Sequence, residues 1–311
     1  MATETPEISI VVPVYNEAPN LETLYAELVQ AMEGYGHSFE IVAVDDGSRD
    51  ASVDVLKQLH EQDLRLRIVR LARNFGQNPA VYAGFEQARG EIIVTIDADL
   101  QNPPADIPKL VEKLREGKFD LVQGWRENRE DSAFRRLASR TINRLVSRIT
   151  KVDIKDLGCG MKAYRRAVVE RLTTSTHRSR YLPAETAWLG VKVGEVPVAH
   201  RSRTAGDSKY GLWALLRVNF DMVASISTAP IHLIGLGGAL FALIGFAMAA
   251  RVLYWRLFVM EQFNELATVS AIFFVLAGIQ MICTSIMCEY ISRIYNEVQR
   301  RPYFIVEEVI E

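Results

Sequence analysis

Short β-branched runs alternate with amphipathic segments along the first 200 residues of this 311-residue chain. Ile8–Val14 reads as a strand, and a helix follows from about Leu21 to Glu33. Phe39–Val44 is a second strand. It stops at Asp45-Asp46-Gly47-Ser48, where Ser48 or Asp50 is placed to cap the next helix. Leu66–Leu71, Glu91–Ile96 and Asp120–Gly124 continue the strand series, with a helix near Pro79–Ala88. This alternation predicts an α/β domain with a mainly parallel central sheet and helices on both faces. In such sheets ligands bind outside the carboxyl ends of the strands.

The pattern changes near the C-terminus. Neither Met222–Ala250 nor Ala267–Cys288 contains Asp, Glu, Lys or Arg. A helix needs about 20 apolar residues to cross a bilayer, and each run is long enough. Gly235, Gly237, Gly238 and Gly245 suit close helix packing in lipid. Lys209 and Arg217 precede the first run, and Arg293, Arg300 and Arg301 follow the second. The loop between carries Arg256 with Glu261 and Glu265. That bias predicts a membrane hairpin with both long flanks in the cytosol. The parts are then a catalytic domain over 1–205, an interfacial helix over 206–229, two transmembrane helices within 230–290 and a cytosolic tail over 291–311.

Charge and cysteine content exclude several classes. Lys+Arg 36 against Asp+Glu 38 leaves no basic field for nucleic acid. Cys159, Cys283 and Cys288 have neither disulfide nor zinc spacing. The first residues lack the basic and apolar regions of a secretory signal, so the catalytic part is expected in the cytosol. There is no Gly-x-Gly-x-x-Gly after the first strand and no Gly-Lys-Ser/Thr loop, which disfavours a dinucleotide oxidoreductase and a P-loop NTPase.

The strand ends carry the chemistry. Thr95-Ile-Asp97-Ala-Asp99-Leu-Gln101 delivers two carboxylates into a loop closed by Pro103 and Pro104. Paired hard oxygens at such a place suit Mg²⁺ or Mn²⁺ with positions left for phosphate oxygens. The competing reading is a turn whose Asp residues cap backbone groups. Tyr15-Asn16-Glu17 and Asp45-Asp46 end two neighbouring strands, and independent turns would not need acidic groups at three successive strand ends.

Two further segments read as surface helices. Ser132–Thr150 interleaves Arg135, Arg136, Arg140, Arg144 and Arg148 with Phe134, Leu137, Ile142, Leu145, Val146 and Ile149. Tyr210–Thr228 resembles a helix lying along a membrane before Pro230 turns the chain. The alternation over the tail Arg301–Glu311 suits an edge strand, on this subunit or a neighbouring one.

Val-Val-Pro-Val-Tyr-Asn-Glu at 11–17, Val-Asp-Asp-Gly-Ser at 44–48 and Asp-Ala-Asp-Leu-Gln at 97–101 resemble the family-2 glycosyltransferases of GT-A fold. Arg-Thr-Ala-Gly-Asp-Ser-Lys-Tyr at 203–210 and the two apolar runs narrow the resemblance to the polyisoprenyl-phosphate glycosyltransferases. That group includes dolichyl-phosphate mannose synthases and bacterial undecaprenyl-phosphate sugar transferases. Asn74-Phe75-Gly76-Gln77 and Asp156-Leu-Gly-Cys159 are similar to the formamido-arabinose branch, with the glucosyl carriers next.

The resemblance implies roles. Pro13, Tyr15, Glu17, Asp45 and Asp46 would hold nucleobase and ribose, and Asp97 would line the nucleotide pocket near the metal. Asp99 and Gln101 would coordinate Mg²⁺ or Mn²⁺ bridging the donor diphosphate. Arg126, Arg203, Ser208 and Lys209 would meet the lipid phosphate, and Asp156 would face the acceptor or sugar hydroxyls. General membrane attraction competes for the basic loop, and turn capping competes for Asp156. The implied reaction is single, inverting transfer from a UDP-sugar, or else a GDP-sugar, to undecaprenyl or dolichyl phosphate at the inner face of the cell membrane. Family members often form homo-oligomers. Transfer to a lipid hydroxyl such as diacylglycerol, and a non-catalytic nucleotide-binding scaffold, are the alternatives.

Overall fold

Strands whose side chains are apolar on both faces are stable only between two covering layers, and the central strands are of this kind. The computed structural model describes residues 5–126, 156, 159–174, 182, 186, 189–201, 254, 258, 265–298 and 302–311. Strand β1 (Ile8–Val14) is buried except at Pro13, and β2 (Phe39–Asp45) is buried throughout. With them run β3 (Leu66–Leu71), β4 (Ile92–Thr95), β5 (Leu121–Arg126), β6 (Lys162–Arg165), β7 (Val193–Val198) and β8 (Val306–Ile310). They form one sheet in the order β7-β5-β6-β4-β1-β2-β3-β8.

Helices α1 (Ala18–Tyr35), α2 (Ser52–Gln62) and α4 (Ile107–Arg115) cover one face; α3 (Gln77–Gln87) and α5 (Arg166–Thr174) cover the other. In α1 the buried residues Leu21, Leu24, Leu28 and Met32 recur at helical spacing, and Pro19 sits in the first turn. Gly36 ends the helix in the left-handed region, its N–H bonding Met32 O at 3.1 Å. α3 lies directly on β1: a Cβ on Gly84 would meet Val11 Cγ1 at 2.3 Å.

The expected mainly parallel sheet is mixed. β1–β2, β1–β4, β2–β3 and β5–β7 pair in parallel, while β4–β6, β5–β6 and β3–β8 are antiparallel. The four-residue β6, Lys-Ala-Tyr-Arg, enters between β4 and β5 from the far side. It is too short and too polar to announce itself by alternation. α2 starts at Ser52, and neither Ser48 nor Asp50 is its cap residue; Asp50 instead accepts from the Ser52 N–H at 3.0 Å.

The tail does form an edge strand, and it pairs with β3 of the same chain. Tyr303 and Phe304 pack on the α3 side of the core. Glu311 forms ion pairs with Arg67 and, at 2.6 Å, with Arg89. Arg67 is buried and also bonds Glu40 at 3.2 Å and Gln87 O at 2.7 Å.

Two units emerge, one of Met1–Met222 with Pro302–Glu311 and one of Val223–Arg301. Among the described residues no helix is long and apolar enough to cross a membrane. The second expected span falls within α6 (Glu265–Val298), 34 residues long, of which some side chains lie outside the described set. The first expected span and the basic helix expected at 132–150 also lie outside it.

Candidate active site at the carboxyl ends of the central strands

The site opens where β1 loses one of its neighbours. The β1–β4 ladder runs only from Ile8↔Ile92 to Val11↔Thr95, closed by Ile96 N–H to Val11 O at 3.2 Å. Pro13, which has no N–H to donate, follows where β4 has already left the sheet. The chain beyond β4 therefore peels away and carries Asp97 and Asp99 into the gap.

At the β1 end, Asn16 adopts a left-handed conformation with φ 54°. Its N–H donates to Ser48 Oγ at 3.0 Å, and its Oδ1 accepts from Arg49 N–H at 2.8 Å. Glu17 follows, its N–H bonding Ser52 Oγ at 3.0 Å and its Oε2 accepting from Asn20 Nδ2 at 2.7 Å. Tyr15 is half-buried between these anchors. The β1 and β2 ends are thus bonded into one rim.

Asp45 and Asp46 are both buried. Asp45 accepts from Ser48 N–H at 3.2 Å, which closes the turn. Asp46 accepts from Phe75 N–H at 2.7 Å and Gly76 N–H at 2.9 Å, clamping the loop after β3. Burial pushes the Asp46 carboxyl up, and these two amides pull it part of the way back. Gly47 is required twice over: its φ is +68°, and a Cβ would strike Arg73 C and Asn74 N at 2.6 Å.

Asp97 is held from two sides. Gln77 Nε2 donates to its Oδ1 at 2.7 Å, and Gly160 lies against the carboxylate so closely that a Cβ there would reach Oδ2 at 2.1 Å. Thr95 Oγ1 fixes Gly160 through its carbonyl at 2.8 Å. Desolvation, and then the Asp99 charge, push the Asp97 carboxyl up to about 6; Lys162 and Arg126 oppose this. Lys162 was not anticipated. It is 6% exposed on β6, and burial pulls its ammonium below the ordinary lysine range. The only sequence signal was a lysine two residues past Gly160, in a strand too short to see.

Asp99 Oδ1 accepts from Gln101 N–H at 3.2 Å across Leu100, whose φ is 61°. This strained turn aims Asp99 and Gln101 from one short arc. Arg201 N–H donates to Gln101 O at 2.9 Å and ties the arc to the chain after β7. The donor set fits a hard divalent cation: two carboxylates and a carboxamide lie within five residues, and buried Asn102 beside them keeps an Oδ1 unpaired among the described residues. Among the described residues no three acidic, His or Cys side chains form a group that could hold a metal ion by themselves.

Arg126 and Asp156 meet each other. Nε reaches Oδ2 at 2.6 Å and Nη2 reaches Oδ1 at 2.9 Å, and both side chains are largely closed to solvent. Gln123 Nε2 adds a bond to Asp156 O at 3.4 Å. The expected acceptor residues Arg203, Ser208 and Lys209 lie outside the described residues.

The family model for glycosyl transferase family 2 matches residues 9–173, which run from within β1 through β6 and include Glu17, Asp46, Asp97, Asp99, Arg126 and Asp156. The chain belongs to that family. It is a family-2 glycosyltransferase. Among curated relatives, the undecaprenyl-phosphate 4-deoxy-4-formamido-L-arabinose transferase of Pseudomonas paraeruginosa is 42% identical over 306 residues, covering 97% of this chain and 90% of the relative. The Edwardsiella ictaluri protein of the same name is 39% identical, covering 97% and 94%. A glucosyl-3-phosphoglycerate synthase from Mycobacterium tuberculosis, crystallised with phosphoglyceric acid, shares the GT-A fold at TM-score 0.53 and 18% identity, covering 71% of this chain and 80% of that one. The same synthase crystallised with Mn²⁺ and UDP-glucose gives TM-score 0.52 at 18% identity, covering 69% and 76%.

Proposed function

We propose that this glycosyltransferase moves one sugar from a nucleotide-sugar, uridine-linked by preference, onto a polyisoprenyl phosphate at the membrane. The observation that carries the reading is that Glu17, Asp46, Asp97 and Asp99 stand at the carboxyl ends of three neighbouring strands, on a chain closely similar to undecaprenyl-phosphate sugar transferases. The uncharged runs at 222–250 and 267–288 support a membrane anchor that brings the site to its lipid, with both flanks on the cytosolic side.

In this reading Pro13, Tyr15, Glu17, Asp45 and Asp46 bind nucleobase and ribose, Glu17 as a carboxylate acceptor for a base N–H. Asp99 and Gln101 would hold Mg²⁺ or Mn²⁺, and the ion would supply charge neutralisation of the departing diphosphate. Asp97 shapes the adjoining pocket. Arg126, Arg203 and Lys209 would supply positive charge for the acceptor phosphate, and Ser208 a hydroxyl donor.

A phosphate acceptor is already ionised near neutral pH, so no strong base is needed. Its oxygen attacks the anomeric carbon, the bond to the diphosphate breaks, and the electron pair leaves with the nucleoside diphosphate. One displacement inverts the anomeric centre. The Arg126–Asp156 ion pair gives Asp156 the work of fixing that arginine beside the reaction. Direct contact of Asp156 with sugar hydroxyls is the finer part of the same proposal.

The test offers vesicles holding equal undecaprenyl phosphate and diacylglycerol to the full-length protein, with UDP-sugars and Mn²⁺. The reading expects sugar on the lipid phosphate, released by mild acid. Sugar on diacylglycerol alone would replace it with the hydroxyl-acceptor alternative.

A further inference from the structure

We infer that Gln77 is a positioning residue of the active site, one that makes the metal half answer to the nucleobase half through the loop 73–77. The inference rests on the nucleotide-sugar reading above.

The loop is suspended at each point along its course. Before it, Ala72 N–H donates to Ile305 O of the tail at 2.9 Å. Arg73 and Asn74 lie on Gly47 so closely that no side chain fits between. Phe75 and Gly76 then give their N–H groups to Asp46. Arg73 lies over the Phe75 ring at 4.7 Å and covers the outer side. Gly76, at φ +105°, makes a turn that side-chain-bearing residues rarely adopt, and α3 begins at once with Gln77.

The Cα of Gln77 is therefore set by Asp46, one residue away. Its side chain crosses from the β3 side of the rim to the end of β4 and holds Asp97 Oδ1 at 2.7 Å. Asp97 cannot retreat from that bond, because Gly160 closes the space behind its other oxygen. Asp99, the expected metal ligand, follows two residues later on the same arc. A shift of the Asp46 clamp is thus passed to Asp97 through one backbone step and one hydrogen bond. Gln77 itself is exposed, so packing does not account for this geometry. Hydrogen-bond partners of metal ligands typically contribute about 10- to 100-fold in metal affinity. Gln77 acts one step further out, through Asp97, so the lower end of that range is expected.

The test is nucleotide binding without turnover, on the full chain in detergent. UDP, and GDP in parallel, are titrated with and without Mn²⁺ into wild type, Gln77→Ala, Gln77→Glu, Asp46→Asn and the Asp46→Asn/Gln77→Ala double variant. Gln77→Ala is expected to weaken Mn²⁺-dependent binding about 10-fold and metal-free binding by less, with the melting temperature unchanged. Gln77→Glu, which sets carboxylate against carboxylate, should weaken it further. The double variant should bind no more weakly than Asp46→Asn, because losing the clamp already loses the Gln77 bond. Equal Mn²⁺-dependent binding by wild type and Gln77→Ala, or losses that simply multiply in the double variant, would overturn the inference alone. A wild type that binds neither nucleotide would sink the site reading and this inference together.

Discussion

Arg126 and Asp156 form a two-point ion pair, Nε to Oδ2 at 2.6 Å and Nη2 to Oδ1 at 2.9 Å, at the end of β5. Each partly neutralises the other in a site largely closed to water, so removing either leaves the remaining charge without its two-point partner. Arg126→Ala and Asp156→Ala should each lower the urea midpoint, and the double variant should lose less than their sum. A coupling energy of about 2 kcal/mol is expected for contacting charged groups. Strictly additive losses would mean that the pair is not a working unit.

Gly160→Ala should abolish Mn²⁺-dependent nucleotide binding while the chain still folds. The new methyl would enter the Asp97 carboxylate at 2.1 Å, and the Thr95 bond to the Gly160 carbonyl prevents the strand from backing off. Calorimetric titration with UDP reads the loss directly, and circular dichroism checks the fold. Retained binding would show that the Asp97 carboxylate can swing aside without consequence.

Asp97 makes stability fall with rising pH. Its folded-state pKa is about 6 against the ordinary 3.8, so the folded chain keeps a proton that the unfolded chain has already released. Over that window the unfolded state binds fewer protons, and the free energy of unfolding drops as pH climbs. The penalty is absent below the lower value and complete above the upper one. Relative to Asp97→Asn, ligand-free wild type should lose melting temperature through this window and run parallel above it. Mn²⁺ with UDP should narrow the gap, since a bound cation favours the ionised carboxylate. A constant gap at all pH values would contradict the assignment.

Arg67 is a buried cation between Glu40 on β2 and Glu311 on the tail. Arg67→Met should destabilise the chain by about 3–5 kcal/mol, because Glu40 is left buried without its partner. Adding Glu40→Gln should restore a large part of the loss, as read by urea unfolding. A neutral Arg67→Met would mean that water already reaches Glu40.

The strand ends were legible because chemistry and topology coincide there. Asp97 and Asp99 follow an apolar run, and buried parallel strands read as such runs wherever they occur. β6 and β7 were not legible: Lys-Ala-Tyr-Arg is four residues long, and Val193–Val198 contains Gly194, Glu195 and Pro197. Missing β6 hid Lys162, and with it the antiparallel insertion that makes the sheet mixed. Arg126 and Asp156 were each anticipated, but their pairing spans 30 residues of sequence and no local pattern encodes it. Gln77 stood in a recognisable motif, yet its bond to Asp97 depends on where β3 and β4 end in space, which spacing alone does not reveal.

Lipid-linked product is the most direct measure of the central claim. Purified full-length protein would be given undecaprenyl phosphate, Mn²⁺ or Mg²⁺ and a panel of UDP- and GDP-sugars, and the lipid extract read by mass spectrometry. Wild type is predicted to yield a single-sugar lipid phosphate with at least one donor, and Asp99→Ala to yield none and to bind that donor more weakly. No lipid-linked sugar from any donor, with donor binding untouched by Asp99→Ala, would contradict the account.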